Sequence, residues 1–197
     1  MLIVVEGCVG AGKSTVSAGL AHYRESKVLL EHYEANPFLK AFYQNPELYA
    51  METEFAFLLI HTHQLKKLVA SPAEEVITDF YIDKDSLYAQ LNLHDSSVLS
   101  LFQGMFNVCV NQVPRPDMMI CLSASKALIR SRIVERHREF ELEVDPEYFD
   151  RVNEVYDEFF DSYEGKKLRV SMDEWDFVSN PSLFESLSRQ LDEEIIR

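Results

Sequence analysis

Within "EGCVGAGKSTV", residues 6–16, Gly7 is followed by four residues and then by Gly12-Lys13-Ser14, the spacing of a phosphate-binding loop. Glycines at 7, 10 and 12 let successive backbone N–H groups turn inward around phosphate oxygens. Lys13 adds a point charge near the β and γ phosphates, and the Ser14 hydroxyl is a ligand for Mg²⁺. The nucleotide-binding set is therefore Gly7, Gly10, Ala11, Gly12, Lys13, Ser14 and Thr15, with ATP and Mg²⁺ as the expected cofactors. A helix starting near Gly12 aims its positive end at the same anion.

Two further groupings speak to the chemistry. "SKALIRSRIVERHREFE", residues 125–141, holds Lys126, Arg130, Arg132, Arg136 and Arg138 in an otherwise acidic chain, and Arg132 and Arg136 share a helix face. Such arginines close over a triphosphate and stabilise charge on the transferring group; the alternative is a solvated face balanced by Glu135 and Glu141. From Glu31 to His61 there is one lysine, Lys40, and no arginine, against Glu31, Glu34, Glu47, Glu52 and Glu54. A nucleoside monophosphate acceptor would need cations there, so an uncharged alcohol is expected. Glu31 is then placed to take the hydroxyl proton, the alternative being a surface carboxylate at a strand end. No Asn-Lys-x-Asp guanine motif occurs, and "VITD", residues 76–79, lacks the adjacent glutamate of an ATPase. Two other readings stay open: a kinase for another small neutral alcohol, and a catalytically silent nucleotide-binding protein.

The elements that must position these groups are strands over Leu2–Glu6, Lys27–Glu31, Glu75–Asp79, Asp117–Leu122 and Lys167–Ser171, each followed by a longer polar–apolar pattern. Such alternation implies a doubly wound α/β parallel sheet, with ligands at the carboxyl ends, where Gly7, Glu31 and Asp79 fall. Leu48, Met51, Phe55, Leu58, Leu59, Leu65 and Leu68 recur at helical spacing, and Asp95 to Val110 is apolar on more than one face. Covering those faces takes either a homodimer through the two helices or a large internal core. Asn180-Pro181 reads as N-cap and N1 of a last helix with Leu183, Leu187, Leu191 and Ile195 inward.

The 197 residues, 47% hydrophobic, suffice for one domain spanning 1–197. A net charge of −14 opposes binding to nucleic acid or to an anionic membrane, leaving small molecules as the expected partners. Cys8, Cys109 and Cys121 lack disulfide or metal spacing, and no apolar run approaches the roughly 20 residues of a membrane helix. A soluble cytoplasmic protein is expected.

"EGCVGAGKST", "EHYEANPFLKAFY", "DFYIDKD" and "RIVERHREFE" together resemble the deoxynucleoside kinase family from Leu2 to about Phe160. They parallel that family's "EGNIGAGKST", its "EPV" ahead of "NP.L..FY", its acidic-Arg-Ser motif and its "R...RGR..E" lid. The resemblance implies a P-loop kinase fold: a five-stranded parallel sheet, helices on both faces and a short arginine-rich lid. It implies ATP-dependent phosphorylation of a deoxynucleoside 5′-hydroxyl, with Glu31 as base, Asp79 on the metal side with Ser14, and Arg132, Arg136 and Arg138 over the phosphoryl group. Tyr43 and Glu141 would hold the sugar 3′-hydroxyl, while Glu54, Phe57 and His61 of the long helix and Asp85 would face the base. Four departures stand out. Phe80 replaces an active-site arginine, as in a bacterial branch that is the best likeness; His61 replaces a base-contacting arginine, Glu54 a base-reading glutamine and His137 the lid glycine. An ionised Glu54 offers acceptors only, which suits guanine N1–H and N2–H₂, unless Glu54 pairs with His61 instead.

Overall fold

The computed structural model describes residues 1–70 and 74–196. Five parallel strands, β1 (Leu2–Gly7), β2 (Lys27–Leu29), β3 (Val76–Thr78), β4 (Met118–Ser123) and β5 (Lys167–Ser171), lie in the order β2-β3-β1-β4-β5. The apolar run at the start of the chain becomes the central strand. Ile3, Val4 and Val5 are wholly buried, and since successive side chains point to opposite faces, both faces of the sheet are covered. Register pairs Val4 with both Thr78 and Met119, so the carboxyl ends of β1 and β3 come level.

The expected strands appear, the last with the expected bounds and the other four with shifted ends, and the shift at β2 has a cause. Beyond Leu29 the backbone is claimed by side chains: the Leu30 carbonyl accepts from the Gln64 amide at 3.2 Å, and the Glu31 N–H donates to Asp79 Oδ1 at 2.7 Å. The chain leaves the ladder and carries Glu31 across the strand ends toward β3.

Nine helices pack around the sheet among the described residues: α1 (Lys13–Tyr23), α2 (Leu39–Gln44), α3 (Pro46–Lys66), α4 (Asp83–Asn92), α5 (Ser96–Val110), α6 (Lys126–Glu135), α7 (Glu139–Leu142), α8 (Pro146–Ser162) and α9 (Leu183–Ile196). Pro46 and Pro146 sit at the first turns of α3 and α8, where a missing N–H costs nothing, and Asp95 caps α5 by accepting from Ser97 and Val98 N–H. The last helix begins at Leu183, later than Asn180-Pro181 suggested. The carbonyls of Asn180 and Pro181 accept from Leu183 and Phe184 N–H in a turn that precedes the helix, while Leu187 and Leu191 are fully buried as expected.

α3 departs from the usual amphipathic arrangement, because it buries polar groups alongside Leu58 and Leu65. Its inward face carries Thr53, Glu54, His61 and Gln64, all buried, whereas Leu48, Met51 and Leu59 are 61%, 46% and 54% exposed. Between the two faces, Phe55 meets Phe102 of α5 edge-on at 5.4 Å, and α5 exposes Leu101 and Val108. Among the described residues no helix is long and apolar enough to cross a membrane.

At the end of β1, Glu6 is wholly buried and accepts from Tyr81 N–H at 2.6 Å and from Tyr156 O–H at 3.1 Å. Burial pushes its carboxyl up to about 7 from 4.5, against the pull of Lys84 and Lys13. With the folded-state value raised, the folded protein binds the extra proton, and stability falls as pH rises from about 4.5 to about 7, by on the order of 3 kcal/mol, then levels off. Urea unfolding across that window should show this slope in the native chain and a shallower one in Glu6→Gln; equal slopes would assign it to another group.

Candidate active site

The loop between β1 and α1 turns on two glycines in the left-handed region, Gly10 (φ +85°) and Gly12 (φ +100°). This dihedral pattern is open to glycine at little cost and turns the loop N–H groups toward one side, at the start of α1. Lys13 Nζ donates to the carbonyls of Gly7 (2.8 Å) and Cys8 (3.1 Å), which holds it along the loop. Gly10, Gly12, Lys13, Ser14 and Thr15 line a cavity of about 710 Å³. Gly7 and Ala11, expected to contact nucleotide, stand behind that surface: a Cβ on Gly7 would meet the Leu122 carbonyl at 2.8 Å, and the Ala11 carbonyl accepts from Arg132 at 2.9 Å.

Asp79, just past β3, joins the loop to the opposite wall. Its Oδ2 accepts from Ser14 Oγ at 2.5 Å and its Oδ1 from the Glu31 N–H at 2.7 Å. A hydroxyl and a carboxylate side by side at the phosphate loop are the hard oxygen donors that suit Mg²⁺, so these residues fit the expected metal.

Glu31 lines the same cavity, and its Oε1 is doubly held, by Lys84 Nζ at 2.7 Å and by His61 Nε2 at 3.1 Å. Burial alone would raise its carboxyl; Lys84 and His61 outweigh that and hold it below the usual carboxylate range. His61 Nδ1 lies 2.7 Å from Asp85 Oδ1, while its ring stacks on Phe57 and tilts against Phe80. Burial disfavours the imidazolium, yet Asp85 and Glu31 push it up to about 9, so both ring nitrogens donate at neutral pH. This corrects one expectation. His61 is wholly buried with both nitrogens engaged, and it stands behind Asp85 and Glu31 rather than at the cavity surface.

Glu54, Phe57 and Asp85 do line the far end of the cavity. Glu54 pairs not with His61 but with Asn92, whose amide donates to Oε1 at 2.8 Å and also reaches the Tyr148 hydroxyl at 3.2 Å. Burial, reinforced by Asp85, pushes Glu54 up to about 8. That shift favours the neutral acid near neutral pH over the acceptor-only carboxylate expected from the sequence. With Oε1 taken as acceptor, the proton belongs on Oε2, and the group offers one donor and one acceptor as a glutamine does. Asp85 Oδ2 is buried with no hydrogen-bond partner among the described residues.

The basic segment divides in two. Lys126 and Arg130 face outward and pair with Glu154 and Asp150. Arg132, Arg136 and Arg138 line the cavity. Arg136 ion-pairs with buried Glu141, whose other oxygen lies 3.4 Å from Arg138 NH1, and the Arg138 guanidinium covers the Tyr33 ring at 3.9 Å. Tyr43 stacks on Phe140 and shares this wall with Glu141. His137 adopts φ +51°, a left-handed conformation natural to the glycine it replaces.

Lys84, Asn92, Tyr148 and the wall formed by Met172, Asp176, Phe177 and Val178 were not singled out by sequence. For Lys84 a signal existed: a lysine between two aspartates in "IDKDS", at a helix start, where a cation is electrostatically misplaced. The scarcity of cations between Glu31 and His61 is real but local, because α4 delivers Lys84 from outside that segment.

A family model described as "Deoxynucleoside kinase" matches residues 3–197. The chain is 27% identical to the deoxyguanosine kinase of Bacillus subtilis (strain 168), over 98% of this chain and 97% of that one. It is 25% identical to the deoxyadenosine kinase of Lactobacillus acidophilus, over 98% and 96%. Among solved structures it is similar to deoxyadenosine kinase from M. mycoides with products dCMP and a flexible dCDP bound: TM-score 0.86, 27% identity, 98% of this chain and 100% of that one. The same enzyme with bound dATP gives a TM-score of 0.84 at 27% identity, covering 98% and 99%.

Since Gly12 sits at φ +100° with Arg132 NH1 3.3 Å from the place of a Cβ, Gly12→Ala forces the loop to shift. Strain of about 1–3 kcal/mol should weaken triphosphate binding by roughly ten- to a hundredfold, as read by titration with a fluorescent nucleotide. Unaltered affinity would mean that this dihedral does not aim the loop.

Proposed function

Because the chain belongs to the deoxynucleoside kinase family, and is a kinase converting deoxynucleosides to their monophosphates with a nucleotide as phosphoryl donor, we propose a division of labour among its residues. One observation carries it: the phosphate loop, Asp79, Glu31 and α3 residues line one cavity, and hydrogen bonds link Ser14 to Asp79, Asp79 to the Glu31 N–H, and Glu31 to His61 of α3. ATP is the donor, with its triphosphate on Gly10 to Thr15 and its base toward Met172, Phe177 and Val178. Ser14 and Asp79 hold Mg²⁺, which when bound neutralises charge on the β and γ phosphates. The acceptor lies between Tyr43 and Glu141 at the sugar and Glu54, Phe57 and Asp85 at the base. Glu31 takes the proton as the O5′–H bond breaks, O5′ bonds to the γ-phosphorus, and the bond to the β–γ bridging oxygen breaks to release ADP. Lys13, Arg132, Arg136 and Arg138 stabilise the charge spread over the phosphoryl oxygens.

The apolar stripes of α3 and α5 support a homodimer in which these helices meet. Three free, buried cysteines and one continuous core cluster are consistent with a single domain in the reducing cytoplasm.

Glu31→Gln keeps the side chain's size and removes its basicity. It should lower kcat by roughly 10²-fold or more while triphosphate binding persists. A kcat equal to that of the native enzyme would move the base elsewhere.

Glu54 makes base choice depend on pH. Below its value of about 8 the neutral acid matches adenine N1/N6 or cytosine N3/N4, and above it the carboxylate's acceptors match guanine N1–H and N2–H₂. The ratio of kcat/KM for deoxyguanosine to that for deoxyadenosine should rise between about pH 6.5 and 8.5 in the native enzyme and stay level in Glu54→Gln, which holds no proton to lose. Parallel profiles in both would show that Glu54 does not read the base.

A further inference from the structure

The geometry points to Lys84 as a positioning residue of the phosphoryl transfer, which fixes Glu31 by one oxygen and leaves the other for the acceptor hydroxyl; this rests on reading Glu31 as the base. Glu31 belongs to no regular element. It lies two residues beyond β2 and two before a short 3₁₀ turn at Tyr33–Ala35, and among the described residues its backbone is tied only through its N–H to Asp79. A side chain there has no ladder or helix turn to set its direction. Its direction comes from Oε1, on which Lys84 and His61 converge, whereas Oε2 takes no hydrogen bond from any described residue.

The two donors differ in kind. His61 is clamped between Phe57 and Phe80 and tied to Asp85, so it is a fixed backstop. Lys84 reaches the cavity itself. It is 9% exposed, its ammonium has Glu31 as its one hydrogen-bond partner among the described residues, and it occupies the first turn of α4, the end of a helix that disfavours a cation. Neither helix stability nor apolar packing accounts for a buried lysine in that place, since a buried charge is costly unless paired.

Steady-state kinetics on Lys84→Met, Lys84→Arg, Glu31→Gln and the double variant Glu31→Gln/Lys84→Met test this. Lys84→Met should lower kcat roughly ten- to a hundredfold with the KM for ATP within about twofold, and Lys84→Arg should recover most of the loss. The double variant should be no slower than Glu31→Gln alone, because a residue acting through Glu31 has nothing left to act on. If Lys84→Met does not fold, Lys84→Gln, which keeps a neutral donor, enters the same cycle with the same expectation. Native kcat in Lys84→Met, no recovery with arginine, or losses that multiply in the double variant would overturn the assignment. Native kcat in Glu31→Gln would instead overturn the role of Glu31 as base.

Discussion

The Asp79 carboxylate is the joint on which the site is assembled. One oxygen accepts from Ser14 of the phosphate loop and the other from the backbone of Glu31, so a single planar group sets the spacing between donor and acceptor sides. That group is placed by the sheet: β3 pairs with β1 on one side and β2 on the other, in a register that brings three carboxyl ends to one crevice. Charge-assisted hydrogen bonds of this kind are directional, and the flanking strands are too short to slip without losing them.

Beyond Asp79 the buried charges form a chain: Asp85, His61, Glu31 and Lys84, each in contact with the next. Buried ion pairs contribute little net stability, because desolvation offsets most of the attraction. Two carboxylates and two cations nonetheless balance, so no member is left as an isolated buried charge. The cluster is better understood as setting directions and protonation states at the catalytic wall than as holding the fold together, which the core around β1 does.

Much of this was legible in sequence where one local rule decides the outcome. The phosphate loop was legible because its glycines, lysine and serine act through backbone geometry within a few residues. The strand sequence was legible because buried parallel strands are short apolar runs between helical patterns. Glu31 and Asp79 followed from their places at strand ends. What escaped was set by side chains meeting across elements. Lys84 reaches Glu31 from the start of α4, and Asn92, from the end of that helix, changes what Glu54 can offer a base. His61 was placed at the ligand because its position on α3 is right, but the rings of Phe57 and Phe80 and the carboxylates on either side hold it one layer back. Protonation was the least legible property, since the carboxyl is held below the usual carboxylate range at position 31 and pushed above it at 54.

The two faces of helix α3 have an evolutionary corollary. Thr53, Glu54 and Phe57 line the cavity with His61 one layer behind, while Leu48, Met51 and Leu59 form the outer stripe of the same rigid rod. A substitution that rotates or shifts the rod to improve one surface displaces the other, so changes at the apolar exterior and changes in the cavity lining are not independent mutational paths. Point changes that alter a side chain without moving the backbone, such as the exchange of a glutamine for Glu54, leave the outer stripe in place.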